Sequence, residues 1–187
     1  EAKKAGDVVY VVGITRAELG GSELAWMLND REGVNDPGLS RYPGDRDTPP
    51  RIGGEVPKLQ IELARDIYST VEAAIADGLL RSVHAPGLGG LATGLAMIAM
   101  GGEFGLDLYT ENIPIQIGDG EISIAGKGGL SHTEILFSES PARFILTVDP
   151  LHVERLESLL RCVPHGAVGY VSDHGRLKFI DNELKGL

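Results

Sequence analysis

Apolar residues recur at helical spacing between residues 59 and 80. Leu59, Leu63, Ile67, Val71, Ala74 and Ile75 share one stripe while acids and Arg65 take the other positions, so a long amphipathic helix is predicted there. Elsewhere the pattern is shorter. Residues 8–12 form a compact β-branched run that stops at Gly13 and reads as a strand. After the glycine turn of Gly20 and Gly21, Ser22 is placed to cap a short helix whose apolar face is Leu24, Ala25, Met27 and Leu28. Residues 80–84 are strand-like and feed a Pro-Gly-Leu-Gly-Gly turn that opens into an apolar run through Met100, giving the order strand, glycine turn, helix. Gly101 and Gly102 then read as its C-cap.

Beyond that unit, residues 106–109 predict a strand, and residues 113–124 alternate around Gly118 and Gly120 like a hairpin. Residues 126–129 read as loop, and residues 135–137 and 144–148 as strands flanking the segment SESPAR. A helix follows from near Leu151 to Arg161, and residues 167–171 and 177–180 read as a closing pair of strands. Residues 30–54, rich in proline, glycine and charge, predict a long irregular loop of the kind that forms lids. Helices and strands alternate, but hairpins interrupt the alternation. An α+β class with a mixed sheet covered by helices fits this better than an all-parallel sheet.

Composition narrows the function classes. At 187 residues, 42% hydrophobic and 24% charged, the chain is an ordinary globular sequence of single-domain size. Seventeen basic against 27 acidic residues leave a net charge of −10, the basic residues are scattered, and the few aromatics are not interleaved with them; a nucleic-acid surface is not expected. Cys162 is the single cysteine, so no internal disulfide forms, and it reads as a small buried hydrophobe at the end of an amphipathic segment. No apolar run reaches membrane-spanning length and no signal-peptide layout precedes the first strand, so a cytoplasmic protein without a membrane partner is expected. The first residue is Glu1, and a strand begins a few residues later, which is the look of a piece of a longer chain.

The candidate chemistry centres on residues 79–108. Gly87, Gly89 and Gly90 remove side chains where the chain turns and leave backbone N–H groups at a helix start, a place that favours phosphate or carboxylate. The alternative is a tight turn that lets helix and strand pack closely. Gly87, Gly89 and Ala92 also fit a dinucleotide-binding spacing with Asp107 at the expected distance, but such folds open with that motif and here it starts at Gly87, so no dinucleotide is expected to bind. His84 ends the strand beside the turn, where it meets a phosphate or bonds to the backbone. His132, His152, His165 and His174 lack metal-ligand spacing. Glu139 and Arg143 stand four apart in a strand-to-strand segment, where they bind substrate or pair with each other. No Ser-His-Asp or Cys-His arrangement is visible.

Three ordered segments carry a resemblance: ELGGSELA at 18–25, SVHAPGLGGLATGLAMIAMGGEFGLDL at 82–108 and LFSESPARFILTV at 136–148. Together they resemble the C-terminal domain of the aminoimidazole ribonucleotide synthase superfamily, with the nearest likeness to phosphoribosylformylglycinamidine synthase, and the likeness spans nearly the whole chain. It implies a three-layer α/β/α domain with a mixed sheet, one domain over residues 1–187, normally preceded by an ATP-binding domain. In the full enzyme it implies ATP, Mg²⁺ and glutamine-derived ammonia acting on a formylglycinamide ribonucleotide. The implied partners are the ATP-binding domain, other synthase subunits including a glutamine amidotransferase, and a small phosphorylated ribonucleotide; a homodimer is compatible. Phosphate or substrate binding is then expected at Gly20, Gly21, Ser22, His84, Gly89, Gly90, Ser138, Glu139, Ser140 and Arg143.

The sequence departs from that family in one place. Ala85 and Leu88 stand where the catalytic half of the family has acids, one of them a Mg²⁺ ligand, and neither supplies an oxygen to a hard cation. Pro141-Ala142-Arg143 after the LFSES run matches the family's duplicated, non-catalytic half. No catalytic and no metal-ligating residue is therefore assigned, and without a Gly-Lys-Ser/Thr loop the chain alone is not expected to bind ATP tightly. A structural module fixing dimer or inter-domain geometry stays open beside the ligase reading. So does a divergent relative of the thiamine monophosphate kinase, selenophosphate synthetase or hydrogenase maturation type.

Overall fold

The computed structural model describes residues 1–31 and 54–180. The expected long loop at 30–54 falls almost wholly outside the described residues. Six strands form one sheet in the order β2 (Leu80–His84), β6 (Phe144–Val148), β1 (Val8–Val12), β7 (His165–Ser172), β3 (Gly105–Leu108) and β8 (Leu177–Phe179). All neighbours are antiparallel except β3 and β8, which run parallel. A separate hairpin pairs β4 (Pro114–Gln116) with β5 (Ile122–Ile124), as the alternation around Gly118 and Gly120 predicts.

Helices cover both faces of the sheet, so β1 is buried along its whole length. Its alternate side chains go to opposite layers. Val9 and Val11 join Leu91, Leu95 and Ile98 of α3 (Gly90–Gly102), Ile135 of α4 (His132–Phe137), and Leu106 and Leu108. Val8, Tyr10 and Val12 join Ile67, Val71 and Ala74 of α2 (Ile61–Ala76) with Leu156 and Leu160 of α5 (Val153–Leu160). This is the expected three-layer α/β/α arrangement. A further helix, α1 (Glu23–Arg31), follows the Gly20-Gly21-Ser22 turn. Among the described residues no helix is long and apolar enough to cross a membrane.

Four expectations are corrected. Residues 135–137 belong to helix α4, because Ser131 and Glu134 form a reciprocal capping box that starts a helix just before the apolar residues. β7 and β8 are not a hairpin, since β3 lies between them. Cys162 is exposed, because α5 has ended and Leu160 and Val163 take the core positions on either side. Gly101 and Gly102 lie within α3, and the left-handed cap residue is Glu103, whose N–H reaches the Met100 carbonyl at 3.2 Å.

Candidate ligand-binding site

The three segments that stand far apart in the sequence meet at one end of the central strands, where β1 leaves the sheet at Gly13 and β6 enters it after Arg143. Serine hydroxyls stitch them together. Ser138 Oγ accepts from the Glu18 N–H at 3.3 Å and Ser140 Oγ from the Arg16 N–H at 3.1 Å, both serines being buried. The Glu139 N–H donates in turn to the Glu18 carbonyl at 3.4 Å. Ser22 Oγ accepts from the Ala25 N–H at 3.2 Å, the N-cap role expected of it.

Arg143 is 3% exposed. Its guanidinium donates to the Ser140 carbonyl at 2.9 Å, to Thr15 Oγ1 at 2.9 Å and to the Ser138 carbonyl. Burial holds its pKa down to about 10 against the opposing charges of Glu18 and Glu139. The group is enclosed and its donors close the 138–143 loop; among the described residues they go to Ser140, Thr15 and Ser138, and a direct pairing with Glu139, the alternative the sequence left open, is not made. Thr15 and Glu18, both buried, are neighbours of this loop that no sequence motif singles out as site residues. Glu18 Oε1 accepts from the Lys58 N–H at 2.9 Å, and its Oε2 is buried without a hydrogen-bond partner. Glu18 did stand at the head of the ELGGS segment, and that position was its signal.

The glycine turn before α3 differs from expectation in its donors. Gly89 and Gly90 both have left-handed backbone, with φ of 80° and 64°. A Cβ on Gly90 would meet the Ser138 carbonyl oxygen at 2.4 Å, so close packing requires glycine there. The Gly90 N–H is spent on the Gly87 carbonyl at 3.0 Å, and the Gly89 N–H on Glu139 Oε1 at 2.8 Å. The same carboxylate oxygen accepts from the Glu23 N–H at 2.9 Å. The anion that these helix starts favour is thus the chain's own Glu139.

His84 is half-buried at the end of β2, packs toward Gly94, and has its pKa lowered chiefly by burial. Gly20 is packed against the 54–55 backbone and donates its N–H to the Glu55 carbonyl at 2.9 Å. Gly21 is different. It is exposed, with φ of 74° and open space where a Cβ would stand. Of the ten expected residues, Gly20, Gly21, Ser22, Gly89, Gly90, Ser138, Glu139, Ser140 and Arg143 are brought into one cluster, and among the described residues nothing packs against the exposed Gly21.

The cavity beside this cluster, lined by Arg16, Lys58, Gln60 and Ser140 among others, measures ≈ 20 Å³, room for about one water. A nucleotide bound here would need walls from elsewhere. Among the described residues no group of three or more His, Cys, Asp or Glu is placed to hold a metal ion. With Ala85 and Leu88 at the turn, this donor set does not fit Mg²⁺.

The family model for the C-terminal domain of AIR synthase related proteins matches residues 4–182. The PurL subunit of phosphoribosylformylglycinamidine synthase from Alkaliphilus metalliredigens (strain QYMF) is 30% identical over 187 residues, covering 98% of this chain and 19% of that protein. The PurL subunit from Thermococcus sibiricus (strain DSM 12597 / MM 739) is 29% identical over 157 residues, covering 84% of this chain and 18% of that protein. The chain thus spans about a fifth of the length of these relatives. Among solved structures, T. maritima PurL complexed with FGAR superposes with a TM-score of 0.67 at 14% identity, over 96% of this chain and 26% of that one. The same protein complexed with ATP gives 0.61 at 15% identity, over 96% and 24%. E. coli HypE, a hydrogenase maturation protein, gives 0.58 at 14% identity, over 98% and 48%.

Proposed function

Because the chain belongs to the family of AIR synthase related C-terminal domains, we propose that it is the substrate-clamping domain of a phosphoribosylformylglycinamidine synthase, an ATP-dependent ligase of purine biosynthesis. The observation that carries this reading is the convergence of residues 18–25, 82–108 and 136–148 on one rigid, hydrogen-bonded cluster with the Gly21 backbone open beside it. Such a cluster suits holding a phosphorylated ribonucleotide still rather than reacting with it. ATP, and Mg²⁺ with it, belong in this reading to the remainder of a longer polypeptide; a glutamine amidotransferase subunit supplies ammonia, and the setting is cytoplasmic. The Thermotoga PurL complexes with FGAR and ATP support the ligand classes, and the PurLQS assembly supports partner subunits.

The test is steady-state kinetics of the longest polypeptide that carries this chain, with formylglycinamide ribonucleotide, ATP and glutamine. Gly21→Val is expected to raise KM for the ribonucleotide while the protein stays folded. Unchanged kcat/KM in a folded variant overturns the clamping role. Calorimetry of this chain alone with Mg-ATP is expected to show no binding at micromolar concentration, and binding there overturns the division of labour.

One observation favours a second reading. Ser22, Ser138, Ser140 and Arg143 are all engaged inside the loops, which suits a module that fixes inter-domain geometry without touching substrate. Its mark is a wild-type ribonucleotide titration that leaves the amides of Gly20 and Gly21 unmoved.

A further inference from the structure

We infer that Glu139 is the positioning residue of this site: one of its carboxylate oxygens serves as the anion for two helices at once and so fixes the Gly20-Gly21-Ser22 turn against the Gly89-Gly90 turn. The inference rests on the substrate-clamping reading above and deepens it. Glu139 Oε1 lies 2.8 Å from the Gly89 nitrogen at the start of α3 and 2.9 Å from the Glu23 nitrogen at the start of α1. Gly89 has no side chain with which to cap α3, and no side-chain cap bond is made there. The carboxylate comes instead from a third segment, satisfying orphan donors of both helices and sitting at the positive end of both dipoles.

Its own backbone is held from both sides. Arg143 bonds the carbonyls of Ser138 and Ser140, the neighbours of Glu139, and the Glu139 N–H reaches the Glu18 carbonyl at 3.4 Å. A residue clamped this firmly transmits the register of β6 to two glycine turns. Because Glu139 occupies the N–H groups of both Gly89 and Glu23, what is left exposed between the two turns is the Gly21 backbone. Glu139 touches no ligand in this account; it acts through where it holds α1.

The experiment uses Glu139→Ala and Glu139→Gln in the full polypeptide, read by kinetics with formylglycinamide ribonucleotide and by backbone amide resonances of Gly89, Glu23 and Gly21. Expected for E139A is a rise of about tenfold in ribonucleotide KM with kcat nearly kept, the scale of a lost charge-assisted hydrogen-bond pair. The Gly89 and Glu23 amides should shift together. E139Q keeps an oxygen acceptor and gives the same readout in the event that E139A fails to fold, with a smaller KM rise and both amides still moved. If wild type turns over the ribonucleotide and both variants match its KM, the inference is overturned while the clamping reading stands. If Gly89 and Glu23 amides do not respond to E139Q, the shared-anion geometry is overturned whatever the kinetics. A wild type that does not bind the ribonucleotide sinks the clamping reading, and with it the positioning role.

Discussion

Arg81 and Arg143 stand at opposite ends of the central strands and are satisfied in different ways. Arg81 bridges two acids, donating to Asp7 Oδ1 at 3.0 Å and to Asp149, and its side chain is 34% exposed. Among the described residues Arg143 has no hydrogen-bonded acid; two backbone carbonyls and the Thr15 hydroxyl take its donors, and it is enclosed. At the Arg81 end, charge is used against charge to staple β2 and β6 beside β1, a contact between side chains that leaves loop shape free. At the Arg143 end, the charges of Arg143 and Glu139 are turned mainly on the backbone: Arg143 on the Ser138 and Ser140 carbonyls, Glu139 on the Gly89 and Glu23 N–H groups. That choice fixes main-chain conformation, which is what a site made of glycine turns needs.

Substitutions at the two ends should therefore fail differently. The largest effect is expected of Gly90→Val, which places a β-branched residue at φ of 64° and a Cβ 2.4 Å from the Ser138 carbonyl oxygen. It should cost about 4 kcal/mol or more by urea unfolding. A cost below about 1 kcal/mol would show that the helix start is not packed as described. Next comes Arg143→Met, which strands three buried acceptors and should cost about 3 kcal/mol or more, with Arg143→Lys recovering only part of it.

Arg81→Met should cost less, and its cost should depend on pH. Burial raises the pKa of Asp7 in the fold, and the hydrogen bond and charge of Arg81 oppose that rise. Between the ordinary carboxylate value and the raised one, the folded state keeps a proton that the unfolded state has lost, so stability falls as pH rises through that window. Removing Arg81 widens the window. The variant should be closer to wild type in acid than at neutral pH, and a loss independent of pH would break the contrast between the two ends. The smallest effect is expected at Gly21, where φ is 74° but nothing crowds the position, so Gly21→Ala should cost about 1 kcal/mol by thermal or urea unfolding.

The scaffold was legible where periodicity carries the information. The Ile67, Val71 and Ala74 stripe of α2, the β-branched β1 and the runs that became β2 and β6 all follow from alternate burial against two helical layers. What could not be read was set by contacts distant in sequence. Whether the Gly89 N–H was free depended on Glu139, a residue that arrives through the return of the chain at β6. The enclosure of Arg143 by Ser138, Ser140 and Thr15 is likewise a tertiary fact with no local pattern in the sequence. The misread strand at 135–137 is a separate case. There the Ser131-to-Glu134 capping signature was present and was outweighed by a short apolar run.

In the proposed function, the Gly21 turn, held by the Glu139 cluster, receives a phosphorylated ribonucleotide. Amide chemical-shift mapping in the full polypeptide, titrated with formylglycinamide ribonucleotide, tests it most directly. Saturable shifts are expected at Gly20, Gly21 and Ser22, smaller ones at Gly89, and none at Asp7, Arg81 or Asp149 at the other end of the sheet. Saturable shifts confined to the Asp7, Arg81 and Asp149 end, or none at Gly21 when the ribonucleotide is bound, would contradict it.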